Sequence, residues 1–323
     1  MKKILIIRFS SIGDIVLTTP VIRCLKKQLN VEVHYLTKTS FGAMLKNNPY
    51  VDVVHTIDKK LDADLIQKLK AENFDFIADL HNNLRTLGLK RALKVACKSF
   101  PKLNIQKWLL VNLKINKMPD VHIVDRYLDT ITHLGVVNDN DGLDYFIPES
   151  SKVDLSRLPE QQANGYVGIV IGGQHATKMM PVKKLIEVCQ KLSEPIVLLG
   201  GPEDADRGEE IVKAIGDKVF NACGKFKLDE SASLVEQANW IITHDTGLMH
   251  VAAAFKKRIV SVWGNTVPEL GMYPYMSDPQ SKIVEVKGLS CRPCSKIGFA
   301  KCPKKHFKCM EHDVDNFIIP NNI

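Results

Sequence analysis

Short apolar runs alternate with segments of helical spacing along most of this chain, and the alternation predicts the fold class. Residues 2–9 form an apolar run typical of a buried strand, residues 10–14 a turn, and residues 15–29 a helix. The N-terminal half continues in this way, with strands predicted at 31–37, 51–57 and 74–80 and helices at 41–45, 63–72 and 124–134. Strand and helix in alternation indicate a parallel sheet with helices on both faces, so we predict an α/β, doubly wound domain.

The pattern lapses between residues 138 and 165, where turn-forming and polar residues replace it. A second alternating series follows, with strands predicted at 166–171, 195–199, 239–243 and 258–263 and helices at 182–192, 209–215 and 229–237. We therefore divide the chain into a domain of residues 1–150 and a domain of residues 151–323. Two similar halves joined by a linker predict a ligand-binding cleft between them.

The stretch from His244 to Phe255 is the most informative local pattern. It lies between two predicted strands and places Leu248, Val251, Ala252 and Phe255 at helical spacing. Asp245 or Thr246 is suited to cap the helix, and Gly247 lets a ligand approach the backbone. Such a helix N-terminus is suited to bind phosphate. The spacing alone fits a capped helix without a ligand equally well.

Composition and length narrow the class of protein. The chain has 323 residues, of which 45% are hydrophobic and 25% charged, as in a soluble two-domain protein. The start, MKKILIIR, has an apolar core too short for a signal peptide, so we interpret it as the first strand and expect a cytoplasmic protein. The sequence contains neither GxGxxG nor a P-loop, which disfavours a nicotinamide dehydrogenase.

The net charge of +8 comes from one segment. Between Leu80 and Pro119 there are nine Lys and Arg residues and no Asp or Glu; removing these nine from the chain's 44 leaves 35 basic against 36 acidic residues. Leucines, Phe100 and Trp108 are interleaved with them. This pattern suits an anionic membrane surface or a phosphorylated acceptor, although a solvated helix face gives the same pattern. We expect no nucleic-acid partner, because no binding motif accompanies the charge.

Seven of the eight cysteines fall into two groups. Cys24, Cys97 and Cys189 each stand alone in helix-like patterns, which predicts small core residues. Four more form a CxxC-x7-C-x6-C series at Cys291, Cys294, Cys302 and Cys309. Basic neighbours would favour thiolates, and the series fits a structural zinc or iron site as well as a reduced or disulfide-bonded loop. We assign neither a metal nor a cofactor.

Four stretches together resemble the heptosyltransferases of glycosyltransferase family nine. They are RFSSIGDIVLTTP from Arg8, DLHNNLRT from Asp79, GGQHATK from Gly172 with Pro181, and DTGLMHVAAA from Asp245, followed by WGNT from Trp263. The resemblance implies two Rossmann-like domains in a GT-B fold. It implies a peripheral enzyme on the cytoplasmic face of the membrane that transfers heptose from ADP-heptose to the lipopolysaccharide inner core, inverting and without metal.

The resemblance also implies roles for individual residues. Asp14 would be the catalytic base, whereas its spacing from Ser11 alone fits a capping box. Lys178 would neutralise the pyrophosphate as ADP leaves. The donor set is Gly173, Gln174, Lys178, Asp245, Thr246, Gly247, Leu248 and His250, and the acceptor set is Gly13, His81, Asn82, Arg85 and Arg126.

Three other functions stay open. The enzyme could act on a protein or another glycan. The same fold could serve a non-catalytic nucleotide-sugar-binding protein. The basic segment could belong to a membrane- or nucleic-acid-binding protein.

Overall fold

A computed structural model describes residues 1–58 and 60–318 as two α/β units. Unit 1 comprises Met1–Lys102 and Val121–Phe146, and unit 2 comprises Leu103–Asp120 and residues 147–318. The eleven strands of the described residues are β1 Lys2–Ile7, β2 Val31–Lys38, β3 Val53–Ile57, β4 Phe76–Asp79, β5 Cys97–Ser99, β6 Val167–Val170, β7 Ile196–Leu199, β8 Val219–Asn221, β9 Trp240–His244, β10 Ile259–Trp263 and β11 Lys282–Glu285.

Helices connect most of these strands. The α-helices of the described part are α1 Ile12–Val16, α2 Thr19–Gln28, α3 Ala43–Lys46, α4 Ala63–Ala71, α5 Leu84–Leu93, α6 Asn104–Trp108, α7 Ile123–Leu128, α8 Glu160–Ala163, α9 Val182–Lys191, α10 Ala205–Ile215, α11 Leu228–Gln237 and α12 Gly247–Ala254. Short 3₁₀ turns lie at Thr39–Phe41, Thr132–Leu134, Glu149–Ser151, Leu155–Arg157, Ala176–Lys178, Pro202–Asp204, Pro268–Leu270, Lys308–Met310 and Val314–Phe317, and a π-helical turn at Leu109–Leu113.

Each unit contains one parallel sheet. The strand order is β3-β2-β1-β4-β5 in unit 1 and β11-β10-β9-β6-β7-β8 in unit 2. Every strand pair is parallel. The strands β1, β6, β9 and β10 are almost entirely buried, as expected for sheets covered on both faces. The predicted doubly wound α/β class is confirmed.

The first helix was predicted to begin at residue 15, and this start was wrong. α1 begins earlier, at Ile12, so Asp14 lies inside a helix rather than in a turn. The chain then leaves α1 and begins α2 at Thr19, with Pro20 in its first turn. Pro20 has no N–H to donate to Val16, and the hydroxyl of Thr19 donates to that carbonyl instead, at 2.8 Å.

The basic segment is not one helix, and it spans both units. It forms α5 and β5 in unit 1 and α6 with the π-helical turn in unit 2. Residues 103–120 join unit 2 because Leu110 packs against Val267 and Leu270. The predicted domain of residues 1–150 therefore includes a segment, residues 103–120, that groups with unit 2 in the structure.

Sequence patterns missed β5, β8 and β11. They have three or four residues each and, unlike the four-residue strands β4, β6 and β7, they are not buried throughout, so no continuous apolar run marks them. Cys24 and Cys189 are buried as predicted, but the prediction for Cys97 was wrong, because it begins β5 and is exposed. None of the helices within residues 1–58 and 60–318 is long and apolar enough to cross a membrane.

Candidate functional site

In each unit, predicted site residues follow the two central strands from which the chain adds further strands in opposite directions. In unit 1 the chain runs outward from β1 to β3 on one side and from β4 to β5 on the other. In unit 2 the corresponding pair is β6 and β9. Ligands of open parallel sheets bind beyond the carboxyl ends of the strands at such a switch point. Asp14 and His81 follow the unit 1 pair, and Lys178 and Asp245 follow the unit 2 pair.

The Asp14 carboxylate is held by two residues of its own motif. Its Oδ1 lies 2.6 Å from the guanidinium of Arg8, and its Oδ2 accepts from the backbone N–H and the hydroxyl of Ser11 at 3.1 and 3.0 Å. The contacts to Ser11 agree with the capping interpretation. The ion pair with Arg8 is an additional contact that capping does not require.

Arg8 is itself fixed by distant parts of unit 1. Its guanidinium donates to the carbonyl of Leu80 at 2.7 Å, to the hydroxyl of Tyr127 at 3.0 Å and to the carbonyl of Ser10 at 2.8 Å. Burial opposes ionisation of Asp14, but Arg8 and the hydrogen bonds from Ser11 outweigh it and hold the pKa of the carboxyl below its ordinary value. The carboxylate is therefore ionised at neutral pH.

Two residues of the predicted acceptor set pack on Phe9. The His81 ring lies 4.8 Å from the Phe9 ring, and the Arg85 guanidinium lies 5.0 Å from its centroid. Burial, with the nearby charge of Arg8, lowers the pKa of His81 to about 4, so the ring is neutral at pH 7. Its Nδ1 is buried without a hydrogen-bond partner. Asp14, His81 and Arg85 are thus gathered around Arg8 and Phe9.

Asp79 is a positioning residue that sequence reasoning missed. It is fully buried at the end of β4, and its Oδ1 accepts from the backbone N–H groups of His81 and Asn82 at 3.1 and 2.7 Å. Its Oδ2 pairs with Lys90 at 2.7 Å. Its place as a charged residue at the end of an apolar strand was the available signal. One charge of the basic segment therefore neutralises a buried carboxylate.

The other acceptor candidates of unit 1 are buried or partly buried. Gly13 is buried in α1. The Asn82 side chain donates to the carbonyl of Phe100 at 3.0 Å. Arg126 is 4% exposed, and its guanidinium lies 3.5 Å from the carbonyl of Pro101.

Lys178 and Asp245 form an ion pair in unit 2. The Lys178 ammonium lies 2.5 Å from Oδ2 of Asp245 and 3.2 Å from the backbone carbonyl of Asp245. Oδ2 also accepts from the hydroxyl of Thr266 at 3.0 Å. Asp245 therefore connects the loops after β6, β9 and β10 and holds the ammonium at the switch point.

The loop after β6 runs close to the start of α12. A side chain at Gly173 would bring a Cβ within 3.3 Å of the Thr246 methyl group. Thr246 is the N-cap residue of α12, and its hydroxyl is buried without a hydrogen-bond partner. Gly247 and Leu248 are partly exposed in the first turn, whereas His250 is buried and Gln174 is exposed. The hydroxyl and the free N–H groups of this turn are suited to bind a phosphate oxygen.

His244, to which the sequence assigned no role, fixes the end of this loop. It is fully buried, and its Nε2 accepts from the backbone N–H of Met180 at 2.9 Å. Burial, with the charge of Arg207, lowers the pKa of His244 to about 3. Arg207 donates to the carbonyls of Ile171 and Met180, both at 2.9 Å. The Gly172–Lys178 loop is thus held at both ends.

The segment that contains the four C-terminal cysteines, residues 291–309, packs against the loops after β6 and β10. Phe299 exchanges backbone and hydroxyl hydrogen bonds with Thr177 at 2.8 to 3.2 Å. Arg292 pairs with Glu285 at 2.7 Å and donates to the carbonyls of Gly264 and Thr266. The segment therefore supports Lys178 from one side and Thr266 from the other.

The thiols of this segment are free rather than bridged. The expectation that basic neighbours favour thiolates was wrong for Cys294 and Cys309. Burial and the neighbouring thiols raise their pKa values to about 11 and about 12. Cys291 lies 3.8 Å from Nε2 of His306.

Comparisons with known proteins agree on one family. A model of Glycosyltransferase family 9 (heptosyltransferase) matches residues 63–303. The lipopolysaccharide heptosyltransferase 1 of Campylobacter coli is 26% identical over 291 residues, which are 82% of this chain and 84% of that protein.

Solved structures show the same architecture. A family 9 glycosyl transferase of Veillonella parvula has a TM-score of 0.73 at 24% identity, over 88% of this chain and 86% of the other. The E. coli ADP-heptose lipopolysaccharide heptosyltransferase II has a TM-score of 0.69 at 19% identity, over 96% and 98%. The predicted GT-B fold is confirmed. Because the family match covers well over half of its length, this chain belongs to glycosyltransferase family 9 and is a glycosyltransferase.

Proposed function

We propose that the chain transfers heptose from ADP-heptose to a lipid-linked, anionic acceptor of the lipopolysaccharide inner core, with inversion and without metal. The names of its relatives, a lipopolysaccharide heptosyltransferase and an ADP-heptose lipopolysaccharide heptosyltransferase, support the donor and the acceptor class. The observation that carries the mechanism is the Asp14 carboxylate beside Arg8 at the unit 1 switch point. We assign acceptor binding to the domain of residues 1–150 and donor binding to that of residues 151–323.

Unit 1 supplies the base in this proposal. The acceptor hydroxyl loses its proton to Asp14 as its oxygen bonds to the anomeric carbon, and the bond to the ADP oxygen breaks on the opposite face. Arg8 orients the carboxylate and keeps it ionised before the acceptor arrives. Arg85, held over Phe9, is suited to pair with a phosphate or carboxylate of the acceptor.

Unit 2 supplies the positive charge that the leaving diphosphate needs. The ammonium of Lys178, the Thr246 hydroxyl and the N–H groups of Gly247 and Leu248 would bind its oxygens. Lys178 would exchange part of its contact with Asp245 for the diphosphate, and the Asp245 carboxylate is suited to accept a hydrogen bond from a donor hydroxyl. These groups supply the positive charge that a divalent cation would otherwise supply to the diphosphate, so the proposed transfer is metal-independent.

The test is a transfer assay with ADP-heptose and a heptose-deficient inner-core acceptor, with and without EDTA. We expect a product of inverted anomeric configuration, by NMR of the new linkage, at a rate that EDTA leaves unchanged. Loss of the rate in EDTA with recovery on adding metal would overturn metal independence. Transfer to a protein or another glycan instead would replace the proposed acceptor. Nucleotide-sugar binding without transfer would replace the proposed catalytic function.

We further propose that residues 103–120 contact the anionic membrane that presents the acceptor. Leu110 packs inward against Val267 and Leu270, while Ile105 and Trp108 are 73% and 55% exposed. Leu113 and Ile115 are 52% and 45% exposed, and lysines flank them. An exposed aromatic and aliphatic face bordered by lysines fits the interface of an anionic bilayer.

Trp108 provides a direct readout of this contact. The other two tryptophans, Trp240 and Trp263, are buried, so a blue shift of the fluorescence on adding anionic vesicles would report Trp108. We expect Trp108→Ser to weaken vesicle binding about tenfold, since burying a tryptophan stabilises by at least 1.4 kcal/mol. Val137→Ser, at a 66% exposed apolar residue of unit 1, is the control and should bind as the wild type does. Equal binding of the wild type and Trp108→Ser would exclude this surface.

A further inference from the structure

A cluster of histidines and carboxylates lies at the end of the unit 1 sheet opposite Asp14. His34 of β2 is fully buried, and His55 of β3 is partly exposed. Glu72, directly after α4, comes close to both rings. One ligand atom from each of these three residues can be chosen so that all lie within 4.8 Å of one another. The proposed transfer reaction does not use any of them.

The hydrogen bonds of His34 show which of its nitrogens is available. Its Nε2 lies 2.9 Å from Oε1 of Glu32. An ionised carboxylate only accepts hydrogen bonds, so this nitrogen carries the proton and Nδ1 offers its lone pair. Nδ1 faces Nε2 of His55 at 2.8 Å. At this distance the two nitrogens share one hydrogen atom, which the Nε2–H of a neutral His55 supplies, and a metal ion that binds both nitrogens would take its place.

We propose that His34 Nδ1, His55 Nε2 and the Glu72 carboxylate bind a divalent transition-metal ion of the zinc class. Two imidazoles and one carboxylate are a ligand set that zinc prefers, with water in the fourth position. Glu32 orients His34 through the other ring nitrogen, which is the arrangement that commonly supports a metal-binding histidine. The site would stabilise unit 1 and lie outside the transfer chemistry.

The charge and packing around the cluster are compatible with such an ion. The carboxylates of Glu32 and Glu72 face one ammonium, that of Lys3, at 3.9 and 2.7 Å, so the group has a net negative charge. The ion would replace Lys3 as the partner of Glu72. Phe74 lies edge-on to His34 and His55, with centroids 5.0 and 6.3 Å away, which limits ring rotation. Tetrahedral zinc separates ligand nitrogens by about 3.4 Å, so a small displacement opens the pair.

Cobalt distinguishes this site from the four cysteines of the C-terminal segment. Co²⁺ bound to thiolates shows intense near-ultraviolet charge-transfer absorption, whereas Co²⁺ bound to nitrogen and oxygen does not. We would titrate the full chain, stripped with chelator, with Co²⁺ and record spectra and melting temperature. We expect one equivalent to bind with a nitrogen and oxygen spectrum and to raise the melting temperature.

Variants assign the ligands. Glu72→Gln, at a partly exposed helix end, should weaken Co²⁺ binding at least tenfold, and Glu32→Gln about 10- to 100-fold. His133→Gln changes an exposed histidine of the same unit and should bind as the wild type does. Circular dichroism of each metal-free variant verifies the fold. Unchanged binding in Glu72→Gln, or a spectrum of the thiolate type alone, would overturn the proposal.

Discussion

Asp14→Asn should lower turnover roughly 100- to 10,000-fold while leaving ADP binding within about twofold of wild type. A positioned general base contributes a factor of this size, and the amide cannot take the acceptor proton. Asparagine has nearly the same shape and keeps one oxygen to accept from Ser11, so the local fold is retained better than in an alanine variant. Single-turnover rates with saturating donor and acceptor, together with ADP titration, measure the two effects separately.

The matched control for this substitution is Asp139→Asn. Asp139 also pairs with a buried arginine of unit 1, Arg23, at 2.7 Å. The exposed fraction of its side chain is 19%, against 18% for Asp14. We expect Asp139→Asn to lower the melting temperature about as much as Asp14→Asn does but to keep most of the turnover. Equal loss of turnover in both variants would show that Asp14 acts only by holding unit 1 together.

The lowered pKa of Asp14 sets the acid side of the pH profile. Because Arg8 and Ser11 stabilise the ionised form, Asp14 stays deprotonated down to a pH below the usual value of about 3.9. Its contribution to stability is therefore present above that value and is lost as the pH falls through the lower, folded-state pKa. A decline in transfer rate near pH 6 would have to come from another group.

The unit 2 switch point could be predicted well because its information is local. An apolar strand, Thr246 at the N-cap, Gly247 and the apolar face of α12 are consecutive in the chain, so periodicity and capping rules were sufficient. The break between α1 and α2 was missed, although the Pro20 that causes it was visible. The helical spacing of the apolar residues on either side concealed it.

The surroundings of the candidate residues could not be predicted, because they come from distant parts of the chain. Arg8 is fixed by Leu80 and by Tyr127, which is 119 residues away. The basic segment shows the same limit, because a charge count treats all its lysines and arginines alike. In the structure, Lys90 neutralises the buried carboxylate of Asp79. Residues 103–120 instead pack with unit 2. Pairing of charges depends on tertiary contacts that charge counting does not include.

Lys178→Ala should weaken ADP binding about 10- to 100-fold, which is the second large effect we expect. A hydrogen bond from a charged donor contributes about 1.5–3 kcal/mol, and the leaving diphosphate would lose its one lysine ammonium in this site. The variant also leaves the Asp245 carboxylate near the diphosphate without its ion-pair partner, and this repulsion acts in the same direction. Calorimetric titration with ADP, at fixed ionic strength, measures the change.

Lys184→Ala is the control, because Lys184 also belongs to unit 2 and forms an ion pair of 2.5 Å, with Glu187. The exposed fraction of its side chain is 18%, against 17% for Lys178, so both variants lose similar charge and packing. ADP affinity should be unchanged in Lys184→Ala. Adding Asp245→Asn to Lys178→Ala should recover part of the affinity, because it removes the unpaired carboxylate. If Lys178→Ala and Lys184→Ala bind ADP equally well, Lys178 serves only to hold Asp245, and the positive charge for the leaving group must come from the N-terminus of α12.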